Sequence, residues 1–179
     1  VTEEVLAQRA DTVTPQGFVA VARQFPVSVR EIFAAGPQLV AILEEVRDPG
    51  NLGTIIRVAD AAGADAVILT GRSVDLYNPK VVRSTTGSLF HIPVAVGQDL
   101  DATLTRAAEA GMRTIAADIK GRSLLEARGD LNVPTAWVLG NEARGLSDDI
   151  LPRLDDVVSV PIFGAAESMI LATAAAVCL

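Results

Sequence analysis

"QLVAILEEVRDPGNLGTIIRVADAAGADAVILT", Gln38 to Thr70, is the stretch that decides the fold. Its two ends, QLVAILEEV and ADAVILT, are short apolar runs rich in branched residues, and each reads as a strand buried on both faces. Between them Leu52, Ile55, Ile56, Ala59 and Ala62 recur at helical spacing from Asn51 to Gly63. The glycine closes that helix. Strand, helix and strand joined by short connections form the crossover unit of a parallel sheet.

The pattern continues on both sides. Upstream, GFVAVA (Gly17 to Ala22) reads as a short buried strand and SVREIFAA (Ser28 to Ala35) as a short helix. Downstream, NPKVVRSTTGSLF opens a helix with Pro79 at its first position. IPVAV, RTIAAD and TAWVLG read as strands, with a helix from Asp101 to Gly111 between the first two. DVVSVPI is the last strand, and Glu167 to Leu179 the last helix. The fold class expected is α/β, a parallel sheet flanked by helices.

Composition narrows the field. Half the residues are apolar and only 4% are aromatic, so Val, Ile, Leu and Ala must build the core. One cysteine, Cys178, allows no internal disulfide and no cysteine-based metal cluster, which points to a reducing, cytoplasmic setting. No apolar run reaches the roughly 18 residues of a spanning helix, so no membrane is expected as a partner, and with a single cysteine no metal is expected either. Net charge is −7, which by itself argues against a nucleic-acid binder. The spread is uneven, because Arg47, Arg57, Arg72, Lys80 and Arg83 outnumber the acids between Arg47 and Arg83. The first residues are polar with no core to join before Val19, and the last helix stays apolar to Leu179. Residues 1–24 are therefore expected to be a lead-in segment or linker from an N-terminal partner domain, and residues 25–179 the catalytic domain.

Ligands of open α/β sheets bind beyond the carboxyl ends of the strands, so the loops after strands hold the candidate chemistry. Three stand out. After the first strand of the quoted stretch, Pro49 and Gly50 make a tight turn and Asn51 is expected to cap the helix. A capped helix explains all of this except Arg57, which stands between Ile56 and Val58 beside the buried stripe. An arginine near a helix start suits a phosphate clamp. The second loop is VLGNEARGLSDDI, Val138 to Ile150, whose two glycines let backbone approach a ligand and which matches neither a dinucleotide fingerprint nor a P-loop. The third is VPIFGAAESMILATAAAV, from Val160, where a turn at Gly164 leads to Ser168 and a small-residue helix. His91 reads as a packed or capping residue, and Cys178 as core.

In this order the three segments resemble the motifs of the SpoU (TrmH-like) family of RNA ribose 2′-O-methyltransferases. The resemblance rests on N-x-G-x-x-x-R from Asn51 to Arg57, G-N-E-x-x-G from Gly140 to Gly145 and the proline-to-apolar-helix third segment. TVTPQGFVAV resembles the stretch that leads into this domain in longer members, and NPKVVRSTTGSLFHIPV the stretch after the first motif, near the RNA side. What the resemblance implies is a SPOUT-type domain with a C-terminal deep trefoil knot, a homodimer, and S-adenosylmethionine as cofactor. It implies cofactor contacts at Leu139, Gly140, Asn141, Gly145, Val160, Ile162, Ser168 and Met169, catalytic roles for Asn51, Arg57, Glu142 and Ser168, and RNA contacts by Arg57, Lys80, Arg83 and Arg144. Ribosomal RNA is expected as partner before transfer RNA. A free arginine is almost never neutral at pH 7, so Arg57 suits stabilisation of a developing alkoxide better than a general-base role, with Glu142 as an orienter of Arg57 or Asn51.

One position departs from the family pattern. Where the family reads S-L-N, this chain has Ser168, Met169 and Ile170, so an amide with a donor and an acceptor gives way to a hydrocarbon. The chain is then either an RNA 2′-O-methyltransferase or a relative that binds cofactor or RNA with weak or no methyl transfer. A generic nucleotide-binding α/β domain stands third.

Overall fold

The computed structural model describes residues 2–10, 17 and 19–179. Six parallel strands form the sheet: β1 Leu39–Glu44, β2 Ala66–Thr70, β3 Val94–Gln98, β4 Arg113–Ser123, β5 Thr135–Leu139 and β6 Asp156–Ser159. Their order is β3-β2-β1-β5-β4-β6. The helices are α1 Glu3–Arg9, α2 Val29–Ala34, α3 Pro49–Ala62, α4 Pro79–Thr85, α5 Leu100–Glu109, α6 Leu124–Ala127 and α7 Leu171–Cys178.

Helices cover both faces of the sheet, so strand residues are buried whichever way they point. Ala41, Leu43, Val67, Leu69, Trp137 and Leu139 face the layer holding α3, α4 and α7. Val40, Ile42, Ala66, Ile68, Ala136 and Val138 face α2 and α5. This two-sided burial is why β1, β2 and β5 are near-continuous apolar runs. The expected α/β class and helix-flanked parallel sheet are what the structure has.

The quoted stretch folds as β1, α3 and β2, with one shift at the helix start. Asp48 is the N-cap, its carboxylate accepting the Asn51 N–H at 2.7 Å. Asn51 lies inside the first turn, which frees its amide for other partners. Pro49 takes the position where a missing N–H costs nothing. Gly63, with φ 76°, closes the helix in the left-handed region.

Other expected elements need correction. Gly17 and Val19 to Ala22 form no strand and are exposed. Phe18 of that expected strand, and residues 12–16 of the lead-in stretch, lie outside the described residues. The last strand ends at Ser159, and the last helix starts at Leu171, so residues 160–170 form a long loop. The apolar run continues through that loop for a different reason: several of its residues line a cleft.

β1 and β5 are adjacent, yet the chain leaves them in opposite directions, towards β2 and towards β6. The loops after them therefore start side by side at the point where the connections diverge, the preferred ligand position in open α/β sheets.

Candidate active site

The loop after β5 is held in one shape by its own backbone. Asn141 and Gly145 exchange N–H···O bonds at 3.1 and 2.8 Å, closing a tight reversal. Gly145 has φ 65°, and a Cβ on Gly140 would lie 2.3 Å from the Gly145 carbonyl carbon. Gly140 is required here by the backbone's approach to itself, and Gly145 by its left-handed φ. The Asn141 side chain finishes the turn, its Oδ1 accepting the Ala143 N–H at 3.0 Å and its Nδ2 donating to the Glu45 carbonyl at 2.8 Å.

Glu142 joins this loop to the one after β1. Its carboxylate accepts the backbone N–H groups of Arg47, at 3.2 Å, and Asp48, at 3.0 Å. It also lies 3.5 Å from the Asn51 amide nitrogen. Two free N–H groups of a turn make a small anion-binding concavity, and here a side chain from the facing loop fills it. Glu45, one of two non-glycine residues with positive φ among those described, adds a second link. Its carboxylate meets Arg144 at 2.6 Å and Arg47 at 3.4 Å.

A cleft of about 290 Å³ opens beside this junction. Its floor is the Gly140–Gly145 loop, and the 160–170 loop supplies Val160, Ile162, Ser168 and Met169. Leu171 and Ala174 of α7 close one side, and Ala117 to Lys120 of β4 the other. Apolar walls with backbone polar groups and a few charges suit a small organic ligand of modest size.

The structure places the residues singled out in the sequence as follows. Gly140, Asn141, Glu142, Arg144, Gly145, Val160, Ile162, Ser168 and Met169 line the cleft. Leu139 is fully buried in β5, just before it. Asn51 reaches the cleft's edge through Glu142. Arg57 lies on the exposed side of α3 rather than beside its buried stripe, and among the described residues it makes no hydrogen bond or ion pair. Lys80 Nζ stands 3.9 Å from Asp48, beside the same helix start, and Arg83 is exposed on α4. Ile170 occupies the N-cap position of α7, is 68% exposed and offers no side-chain cap. His91 is exposed, its Nδ1 3.0 Å from an Asp60 carboxylate oxygen, instead of packed. Cys178 is buried, and burial pushes its thiol up to about 12, so it stays protonated and inert. Sequence inspection missed Ala117 to Lys120. The only hint was Gly121, which lets β4 run close under β6.

Comparisons with known proteins identify the family. Residues 38–179 match the profile of the SpoU rRNA Methylase family. A Bacillus subtilis protein named a 23S rRNA (guanosine(2553)-2′-O)-methyltransferase is 36% identical over 98% of this chain and 68% of its own length. A Streptomyces viridochromogenes protein named a 23S rRNA (uridine(2479)-2′-O)-methyltransferase is 38% identical over 83% of this chain and 52% of its own. Among solved structures, an AdoMet-bound rRNA methyltransferase from Sinorhizobium meliloti superposes with a TM-score of 0.78 at 34% identity, covering 86% of this chain and 59% of that one. The chain thus spans between half and about two thirds of the length of these relatives.

Proposed function

This chain belongs to the SpoU rRNA methylase family, and on that premise we propose that it transfers a methyl group from S-adenosylmethionine to a ribose 2′-hydroxyl of RNA, ribosomal RNA before transfer RNA. The observation that carries this proposal is the Glu142 junction. It joins the Asn51 helix start to a cleft built from the 140–145 and 160–170 loops, so all three sequence segments meet at one place.

The cleft fits the donor. Its loop backbone and apolar walls suit an adenosyl group, and Gly140, Asn141, Gly145, Val160, Ile162, Ser168 and Met169 would hold it. When bound, S-adenosylmethionine supplies a methyl group activated by its sulfonium. The chain's own residues do the rest. Glu142, engaged by two backbone N–H groups, fixes the helix start and with it Asn51, which orients the ribose. Arg57 has no internal partner among the described residues and projects from the same helix, so its guanidinium is available to a phosphate and to the negative charge that develops on the 2′-oxygen. Proton loss then goes late, to water, because arginine has no neutral form to accept it. Lys80 and Arg83 on α4 extend the cationic side of the helix start, and Arg144 adds to it from the cleft's rim.

The same proposal includes the trefoil knot, the homodimer, a cytoplasmic setting, and residues 25–179 as the catalytic unit with 1–24 as lead-in. The path of the chain supports the knot, since β6 stands at the sheet edge beyond β4 while α7 returns to pack on α3. Exposed apolar side chains at Phe163, Ile170 and Val177 support a second copy. No helix among the described residues is long and apolar enough to cross a membrane.

A second role, donor binding without turnover, is favoured by Ile170 alone. Calorimetric titration with S-adenosylmethionine, followed by a methyl-transfer assay on RNA, separates the two. Binding with transfer supports the enzyme. Binding without transfer, restored by Ile170→Asn, supports the second role. Arg57→Ala is expected to leave donor affinity unchanged and to slow transfer by about 100-fold or more, the scale of losing one charge-stabilising group. Undiminished transfer in that variant would remove Arg57 from the mechanism.

A further inference from the structure

β4 does more than pair with its neighbours. Ala117 and Arg122 are both in register with Val158, so residues 118–121 leave the ladder and rejoin it. Gly121 makes the return possible, since a Cβ there would lie 2.3 Å from the Val157 carbonyl oxygen. The excursion carries Asp118, Ile119 and Lys120 to the wall of the cleft.

Four charged side chains line the cleft, and three are committed. Glu142 is bound by backbone N–H groups, Arg144 pairs with Glu45, and Lys120 pairs with Asp148. Asp118 is half committed: Oδ1 accepts the Lys120 N–H at 3.0 Å, while Oδ2 has no hydrogen bond among the described residues. That free oxygen lies 3.2 Å from the position a Cβ would take on Gly145. It therefore lies against the glycine turn, in the lining of the cleft.

Nucleotide sites in open parallel sheets often pair two features: a glycine turn after one strand and a carboxylate at the carboxyl end of the neighbouring strand, which hydrogen-bonds a ribose hydroxyl. Here β5 carries the glycine turn, β4 is its neighbour, and Asp118 stands at the end of β4's paired segment. We infer that Asp118 is the acceptor for the ribose diol of an adenosyl ligand in this cleft, an assignment that rests on the methyl-donor proposal above. The committed partners of the other three charges leave Asp118 Oδ2 as the free charged acceptor on this wall.

The test is calorimetric titration of the whole chain with S-adenosylhomocysteine and with its 2′,3′-dideoxy analogue. Asp118→Asn is the informative variant, because its carbonyl keeps the bond to the Lys120 N–H while an amide nitrogen replaces Oδ2. Asp118→Ser repeats the test with a shorter side chain, and an unchanged melting temperature shows that each variant is folded. Wild type should prefer the natural ligand by about 10- to 100-fold, the worth of hydrogen bonds to a charged group. Both variants should lose that preference while binding the dideoxy analogue as wild type does. A wild type indifferent to the diol, a preference kept by the variants, or an equal loss for both ligands would each overturn the assignment. If wild type binds neither compound, the methyl-donor proposal itself fails and the role of Asp118 falls with it.

Discussion

A Cβ built on Gly53 would lie 1.8 Å from Ser84 Oγ, 2.8 Å from Ser84 Cβ and 2.7 Å from the Val81 carbonyl oxygen. Gly53 is buried where α3 crosses α4, and Ser84 donates into the same crossing, towards the Lys80 carbonyl at 2.8 Å. The glycine of the N-x-G-x-x-x-R pattern is thus explained by helix packing, while Asn51 and Arg57 on either side remain available for chemistry. A serine hydroxyl can turn away, but a helix carbonyl cannot, so α4 would have to move. Gly53→Ala is expected to cost about 2–3 kcal/mol, the scale of overpacking in a close-packed interior. For a chain of this size that lowers the melting temperature by about 4–12 °C. Differential scanning calorimetry measures it, and adding Ser84→Ala should recover only part of the loss, because the Val81 carbonyl still blocks the methyl. Complete recovery would show that Ser84 alone sets the spacing. Residue types also explain what could be read in advance. Asn51, Arg57 and Glu142 stood out because polar groups sat in apolar or glycine-rich surroundings. Asp118 did not, since it ends an expected strand ahead of a polar stretch and owes its place to an excursion that sequence periodicity does not record.

Elements were legible where burial left a pattern. β1, β2 and β5 are buried on both faces and read as unbroken apolar runs, and α3 and α5 show their helical stripe. The end of the chain was harder, because the apolar residues of 160–170 in part line the cleft and in part are exposed, and resemble strand and helix without being either. β4 and β6 are held together by more than their ladder. Asp156 accepts from Arg122 at 2.6 Å and Arg113 at 2.8 Å, and Arg122 also reaches Asp130 at 2.5 Å. The Arg122 hydrogen bond, with help from the Val157 N–H and the charge of Arg113, holds the Asp156 carboxyl below its ordinary value of 3.8. A lowered value in the folded state means that this carboxylate adds stability above the ordinary range, and that the contribution fades as pH falls through the folded value. Asp156→Asn should therefore melt below wild type at pH 7, and the gap should close as pH drops below about 4, where unfolded aspartates take up protons. Thermal melts of both proteins from pH 7 to pH 3 test this. A gap that stayed constant with pH would mean that the clasp acts by shape and not by charge.

At the scale of the whole molecule, alternation in the sequence foretold a parallel sheet but not the order β3-β2-β1-β5-β4-β6. Strand order depends on which faces fit which helices, and no local pattern carries that information. Yet the order is what brings the loops after β1 and β5 together and lets Glu142 bridge them. Charge is the other global property, and it bears directly on the proposed RNA substrate. The chain carries a net −7, so RNA must be met by a few local cations against an unfavourable background. The candidates are Arg57, Lys80, Arg83 and Arg144; Lys80 already pairs with Asp48 and Arg144 with Glu45. Each phosphate neutralised on a single strand contributes roughly 0.7 to the slope of log affinity against log salt, so four contacts give a slope of at most about 3. Binding of single-stranded RNA measured across a salt series should show that shallow dependence, and Arg57→Ala should reduce it by about 0.7. A slope of about 6 or more would require phosphate contacts beyond these four residues. An unchanged slope in the variant would show that Arg57 does not touch a phosphate, and would leave charge stabilisation at the 2′-oxygen as its remaining role.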